Sequence, residues 1–381
     1  MKGTYHLWNI YPPEKISVEI SECTKERFRR EIDGKSHKIA KALKITPSRM
    51  YSYFINGDSP IPLDRLIKVA NFLSISLGEV ENNIVSYKQK LVPNKNSVFN
   101  PKLPIKDSPY LASLVSHLFF DGSLPRDGKG AYYNQKKESI MKLFIEQLKE
   151  VFGDVQNKTV VDHRGVLKCR FPQLVGEICK NLYGVKTFHG DFGRIPKKLF
   201  KLPKDYRLAF LVSAILDEGS IAYDGHIIFG INNKDLCNDM RALGKGLGLE
   251  ISELKRKKET SFFYFHIKSL DKLLKMVEGL EKDYPLITLD YKLHRLKKSL
   301  EIKAQKFKYT ANFAIERMEK VLIELTPKGR TINYLANQLV MPPRTIRRYM
   351  YRLMKEGKIK RTKSGNEYIY LLKPNLVSKM I

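Results

Sequence analysis

The chain has 381 residues, too many for one ordinary core and enough for two to four domains. Its 69 lysines and arginines against 40 aspartates and glutamates give a formal charge of +29, spread along the whole length, which favours a polyanionic partner, nucleic acid first. There is no run of 18 apolar residues and no signal-peptide pattern over residues 1–11, and Cys23, Cys169, Cys179 and Cys237 lack the spacing of a zinc site or a disulfide framework. These features exclude a membrane protein and a secreted scaffold; a cytoplasmic, nucleoid-associated chain with reduced thiols is expected.

From Cys23 to Val80 apolar residues recur at helical spacing: Ile39, Ala42 and Leu43, then Met50, Tyr51 and Phe54, then Leu63, Leu66, Val69, Ala70 and Leu73. Thr46-Pro47 supplies an N-cap and a first-turn proline, and Asn56-Gly57 closes that helix. Residues 35–43 and 47–55 therefore form a tight helix pair. With residues 59–66 behind it, the pair resembles the helix-turn-helix of phage repressors. That resemblance implies a helix entering the major groove with Ser48, Arg49 and Ser52 facing DNA. Residues 1–86 are assigned to this all-α DNA-binding domain. Residues 87–107, polar, rich in Pro and Asn and without apolar periodicity, read as a linker.

The middle of the chain is duplicated. Residues 111–123, LASLVSHLFFDGS, return 97 residues later as LAFLVSAILDEGS at 208–220. Past each acid, Gly122-Ser123-Leu124 matches Gly219-Ser220-Ile221 and Asp127-Gly128 matches Asp224-Gly225; alternating runs then reach Gln135-Lys136 and Asn233-Lys234, each before an amphipathic helix. Second hairpins are expected over 159–171, turning at His163-Arg164-Gly165, and over 251–267, turning at 257–260. Each copy, 108–204 and 205–305, thus reads helix, hairpin, helix, hairpin, helix. Four strands per copy make an α+β fold.

Residues 306–381 carry helical patterns over 331–339 and 343–355, then a hairpin whose arms, 358–361 and 367–372, flank Ser364-Gly365-Asn366. This pattern is similar to a winged helix. Arg344, Arg347, Arg348, Arg352, Lys358, Lys360, Arg361 and Lys363 lie on its recognition helix and wing with little acid among them, as phosphate contacts require.

Small residues stand four apart in each repeated helix, Ala112 with Ser116 and Ala209 with Ser213, so the two helices can approach closely about a pseudo-twofold axis. Leu111, Leu114, Val115 and Leu118, with Leu208, Leu211, Val212 and Ile215, would fill the core around them. Asp121 and Glu218 would then meet at one edge. A carboxylate at a helix C-terminus is disfavoured by about 0.3–1 kcal/mol, and two together repel. A divalent cation, Mg²⁺ or Mn²⁺, would relieve both penalties, hold a phosphodiester and activate water.

Residues 114–122 and 211–219, with these acids and glycines, resemble the signature of the LAGLIDADG homing endonucleases in their single-chain, two-repeat form, a likeness that covers about half the chain. It implies a monomeric saddle of two four-stranded sheets in the major groove of double-stranded DNA, Asp121 and Glu218 as metal ligands, and a staggered cut. It also implies a basic residue near each scissile phosphate, for which Lys292 in one copy and Arg194 or Lys197 in the other are candidates. Gln135, Lys136, Asn233, Lys234, Lys255, Arg256, Lys257 and Lys258 are candidate DNA contacts. The motifs depart from the family at Ser116 and Ser213, where Gly is usual, and at His117 and Phe119-Phe120.

Gly244, Gly246 and Gly248 make no dinucleotide or P-loop motif, and His163, His189 and His294 stand isolated; neither end carries an intein signature. The leading expectation is a metal-dependent DNA endonuclease. Two alternatives share the core: a non-cleaving DNA-binding regulator, since bacterial developmental regulators combine such a core with a helix-turn-helix, and an RNA-splicing maturase.

Overall fold

The computed structural model describes residues 3–57, 59–90, 96–125, 130–221, 227–304, 320–321, 329–364 and 367–373. Asp127-Gly128, Asp224-Gly225 and the Gly365-Asn366 turn lie outside the described residues. The chain divides into two compact units, Met1–Gly219 with Phe229–Phe263 and Lys275–Asp290, and Ser220–Ile228 with Tyr264–Leu274 and Tyr291–Ile381.

The first unit opens with β1 (Thr4–Tyr5), α1 (Leu7–Ile10) and β2 (Ile16–Ile20), followed by α2 (Glu22–Ile32), α3 (Ser36–Ala42) and α4 (Pro47–Met50). Thr46 Oγ1 accepts from Arg49 N at 3.4 Å and caps α4, whose path continues as a wider π turn over Tyr51–Ile55. Arg29 Nε closes that turn by donating to the Ile55 carbonyl at 2.7 Å. The helix pair thus stands where its cap and turn residues place it. Next come β3 (Ile61–Pro62), α5 (Leu63–Phe72), α6 (Leu77–Asn82) and β4 (Ile84–Gln89). The all-α expectation for 1–86 is therefore corrected, since β2 pairs with both β3 and β4.

The linker expectation for 87–107 is corrected as well. This stretch holds the end of β4, then β5 (Ser97–Phe99) and β6 (Ile105–Lys106), with Tyr87, Val98 and Ile105 buried. Strands of two and three residues are too short to show a period in sequence.

The first repeat is α7 (Pro109–Phe120), β7 (Gly122–Ser123), β8 (Ala131–Gln135), α8 (Glu138–Phe152), β9 (Asp154–Val155), β10 (Lys158–Val161), β11 (Leu167–Phe171) and α9 (Gln173–Tyr183). Its antiparallel sheet runs β10-β11-β8-β7. Asp162 holds the β10–β11 turn by accepting from the Arg164 and Val166 amides at 2.8 and 2.9 Å, an Asx turn. Strand β9 instead ends a five-stranded sheet, β3-β2-β4-β5-β9, so the N-terminal segment and the first repeat share one ladder.

A short α10 (Lys197–Phe200) ends the first copy, and the second repeat is α11 (Lys204–Glu218), β12 (Gly219–Ile221), β13 (Ile227–Ile231), α12 (Lys234–Gly246), β14 (Lys255–Lys257), β15 (Thr260–Phe265), α13 (Ile267–Asp283) and α14 (Tyr291–Ala304). Its sheet order, β12-β13-β15-β14, is that of the first repeat. Two four-stranded sheets with the same strand order, the first antiparallel throughout, together with the helices between them confirm the α+β class.

In the second unit, α15 (Ile332–Gln338) and α16 (Pro343–Lys355) precede the hairpin of β16 (Ile359–Ser364) and β17 (Glu367–Leu372), and Arg330 bridges to Tyr370. Leu335, Ile346, Met350, Leu353 and Tyr370 form its core. Among the described residues no helix is long and apolar enough to cross a membrane.

Candidate active site

Two helices that are apolar on every face belong at the centre of a domain, and residues 111–119 of α7 and 208–216 of α11 are all buried. Ser108 Oγ caps α7 by accepting from Leu111 N at 3.3 Å, with Pro109 at its first position. The helices meet through serines. Ser113 and Ser213 share a hydrogen bond of 2.6 Å, and Ser116 Oγ donates to the Phe210 carbonyl at 2.8 Å. The 97-residue repeat interchanges these two contacts, so the helix pair carries the duplication as a twofold relation. Serine at 116 and 213, where glycine is usual, thus joins the two helices by hydrogen bonds without stopping the close approach.

Each helix turns into its strand through glycine. A Cβ at Gly122 would stand 2.6 Å from Leu118 Cα, and one at Gly219 would stand 2.6 Å from the Ile215 carbonyl oxygen. Both turns are too tight for a side chain, which explains the glycine that follows each acid.

Asp121 ends α7 and Glu218 is the last residue of α11, and both are half-buried. The Asp121 carbonyl accepts from Asn134 N at 2.9 Å, which pins the acid to β8. Glu218 opens on a cavity of about 330 Å³ that is also lined by Phe120, Asp191, Asn232 and Thr260.

A hydrogen-bonded chain runs from Asp217, the residue before Glu218, to Asp121. Asp217, with its side chain fully buried, accepts from His117 Nδ1 at 2.8 Å and from Tyr133 OH at 2.7 Å. Gln135 Nε2 donates to Tyr133 OH at 3.3 Å and to Asp121 Oδ2 at 3.4 Å. Burial, and then the neighbouring Asp217 carboxylate, push the Tyr133 hydroxyl well above its ordinary range, so it stays protonated and donates. Tyr133 stacks on Phe144 with ring centroids 4.3 Å apart, and His117 meets both rings edge-on. Three hydrogen bonds therefore separate Asp217, the neighbour of Glu218, from Asp121.

The other expected site residues divide into two groups. Arg194 is engaged within the protein: its Nε and one terminal nitrogen clamp Asp239 at 2.7 and 2.8 Å and another reaches Asp235 at 3.3 Å, a bidentate fork on a half-exposed guanidinium. Asn233 is engaged too, since its oxygen caps α12 and its amide donates to the carbonyls of Gly190 and Gly193. Gln135 turns to Asp121 rather than outward, and Ser52 donates to Ser59 Oγ at 2.9 Å. Lys292 belongs to the second unit and is 5 % exposed, with its ammonium 5.8 Å from the Tyr291 ring centroid.

Lys197, Lys136, Lys234, Lys255, Arg256, Lys257 and Lys258 are exposed, as are Ser48 and Arg49 at the start of α4. Arg344, Arg347, Arg348 and Arg352 line the outer face of α16, and Lys360, Arg361 and Lys363 line β16. Glu356 engages Arg352 and Lys358 at 2.9 Å, and Arg361 lies 4.7 Å from the Tyr368 ring centroid. Cys23 is exposed and the other three thiols are buried, Cys169 with its pKa pushed up to about 11 by that burial.

Sequence reasoning missed Asp217 and Tyr133. Comparing the copies carried one signal, because Asp217 stands where the first copy has Phe120. Nothing in the spacing ties residue 217 to residue 133.

Fold and site define an α+β protein built on a duplicated helix–sheet unit with one acid at the end of each central helix. No family model and no curated protein matches the chain. Solved structures similar to it include mesophilic variants of the homing endonuclease I-DmoI (13 % identity, TM-score 0.32, 44 % of this chain and 94 % of that one). Another is full-length DUF199/WhiA from Thermatoga maritima (12 % identity, TM-score 0.36, 65 % and 90 %). A third is I-DmoI in complex with DNA and Mn (14 % identity, TM-score 0.32, 44 % and 95 %).

Proposed function

We propose that this chain is a sequence-specific, double-stranded DNA endonuclease of the LAGLIDADG homing type, in which Asp121 and Glu218 hold divalent metal. One observation carries the reading: two equivalent acids end two helices that pack through interchangeable serine contacts, and three hydrogen bonds link Asp121 to the residue beside Glu218.

Among the described residues no three His, Cys, Asp or Glu side chains group to hold a metal. Two half-buried carboxylates still fit Mg²⁺ or Mn²⁺, because Mg²⁺ keeps several waters and binds through one or two carboxylates plus substrate phosphate rather than in an all-protein cage. Bound there, the metal would supply Lewis acidity and a more acidic water. The chain's own residues do the rest. The tight Gly122 and Gly219 turns fix where each acid ends, Asn134 holds the Asp121 backbone, and the buried serine contacts keep the helices from sliding. Exposed Lys136, Lys234 and the Lys255–Lys257 strand would meet DNA phosphates, while α4 and the α16 hairpin unit, a winged-helix-like arrangement, would lengthen the site read.

A second reading, a DNA-binding regulator that does not cut, has one observation behind it: a helix pair precedes the duplicated core in the chain, and a helix pair with a hairpin follows it, the elements that a helix-turn-helix and a winged helix would use. The two readings part in one assay. Full-length protein is incubated with a randomised duplex pool in Mg²⁺, and both retained and cut DNA are sequenced. Double-strand cuts within an enriched sequence support the endonuclease; an enriched sequence that stays intact leaves the regulator.

A further inference from the structure

The two acid sites are not chemical copies. Under the twofold relation of α7 and α11, His117 corresponds to Ala214 and Asp217 to Phe120. Strands β8 and β13 share the burial pattern of two buried positions separated by a half-buried one, which aligns Tyr133 with Phe229 and Gln135 with Ile231. The contacts agree with that alignment. Where Tyr133 donates to Asp217, the equivalent pair is Phe120 edge-on to Phe229, 5.5 Å between centroids. One half-site thus carries a polar chain that ends on its acid, and the other carries apolar side chains in the same places.

We infer that Asp217 and Tyr133 are positioning residues for the first acid, with Asp217 reaching across the helix pair to set the Tyr133 hydroxyl, and that hydroxyl setting the Gln135 amide against Asp121. A buried carboxylate has no reason to sit in an aromatic cluster unless it is fully paired, and His117 and Tyr133 pair both of its oxygens. With one oxygen on His117 and the other on Tyr133, the phenol can rotate little. Tyr133 OH then acts as acceptor for Gln135, leaving the second amide hydrogen direction for Asp121 Oδ2. Such a partner orients a metal-binding carboxylate and removes one of its idle rotamers.

The metal part of this inference rests on the endonuclease reading; the relay itself does not. Two measurements on the full chain separate them. The first is Mn²⁺ affinity, followed by electron paramagnetic resonance, in wild type, Tyr133→Phe, Gln135→Ala and the double variant. Tyr133→Phe keeps the ring and its stacking on Phe144 while removing the hydroxyl. The expected result is an approximately tenfold weaker Mn²⁺ site in each single variant, with no further loss in the double. Independent, additive losses, or no loss in Tyr133→Phe, would overturn the relay's role toward metal. The second is the Gln135 side-chain amide resonance in ¹⁵N-glutamine-labelled protein. It should shift in Tyr133→Phe and Asp217→Asn but hold its position in Phe120→Leu, the counterpart change in the other half-site. If the wild type binds no Mn²⁺ while the resonance shifts as described, the metal reading fails and the relay stands. An unmoved resonance in Tyr133→Phe and Asp217→Asn would overturn the relay whatever the metal does.

Discussion

At the scale of single residues, identity at a few buried positions decides what the site can be. Asp217 is the clearest case, because its charge is buried in the protein interior and compensated by two donors. Removing it as Asp217→Ala leaves His117 and the Tyr133 hydroxyl buried without their acceptor. A loss of about 3 kcal/mol is expected, read by urea denaturation as a lower midpoint at unchanged slope; a change below 0.5 kcal/mol would show that the network carries no stability. Asp121 and Glu218 were legible in the sequence because the repeat placed them in register. Asp217 and Tyr133 were not, since a side-chain pair 84 positions apart leaves no periodic trace. Arg194 and Asn233 were legible as polar residues near the right place, but whether a guanidinium faces DNA or a carboxylate such as Asp239 is decided by tertiary packing.

At the scale of elements, the repeated helices, the hairpins and the terminal helix pairs followed from apolar spacing, caps and turn residues. The helix-to-strand turns make a sharp test. Because a Cβ at Gly219 would stand 2.6 Å from the Ile215 carbonyl oxygen, Gly219→Ala must shift backbone and should lower the melting temperature by several degrees, whereas alanine at Gly190, where nothing lies within 4 Å, should leave it unchanged. Equal melting of the two variants by calorimetry would contradict the turn geometry. The segment 87–107 supplies the contrary lesson. Its polar composition hid β5, whose Val98 pairs with Tyr87 on one side and Val155 on the other. Val98→Pro removes a donor from an interior strand and should destabilise the N-terminal unit in the same thermal scan; a flexible linker would tolerate it.

At the scale of the whole molecule, the chain carries a charge of +29 and exposed basic residues on α4, β14, α16 and β16, the groups through which the proposed function would engage DNA. If six or more of them neutralise phosphates, affinity for duplex DNA should fall on the order of a thousandfold between about 50 and 200 mM salt, a slope that fluorescence anisotropy measures; a flat salt dependence would rule out phosphate contact as the main source of affinity. Composition made a nucleic-acid partner the leading expectation from the start. What it could not show is that the N-terminal segment shares a sheet with the first repeat through β5 and β9, so that its helix pair is tied to the core by a strand ladder rather than by a tether.

The central claim, that the two motif acids form one metal-dependent cutting site, meets its most direct test in end-sequencing of duplex DNA after incubation with Mg²⁺. Wild type, Asp121→Asn and Glu218→Gln are compared on the sequence that wild type enriches. Paired ends on both strands with wild type, and their loss in both variants while binding is retained, is the predicted result. Intact DNA with wild type, or cutting that survives both substitutions, would contradict it.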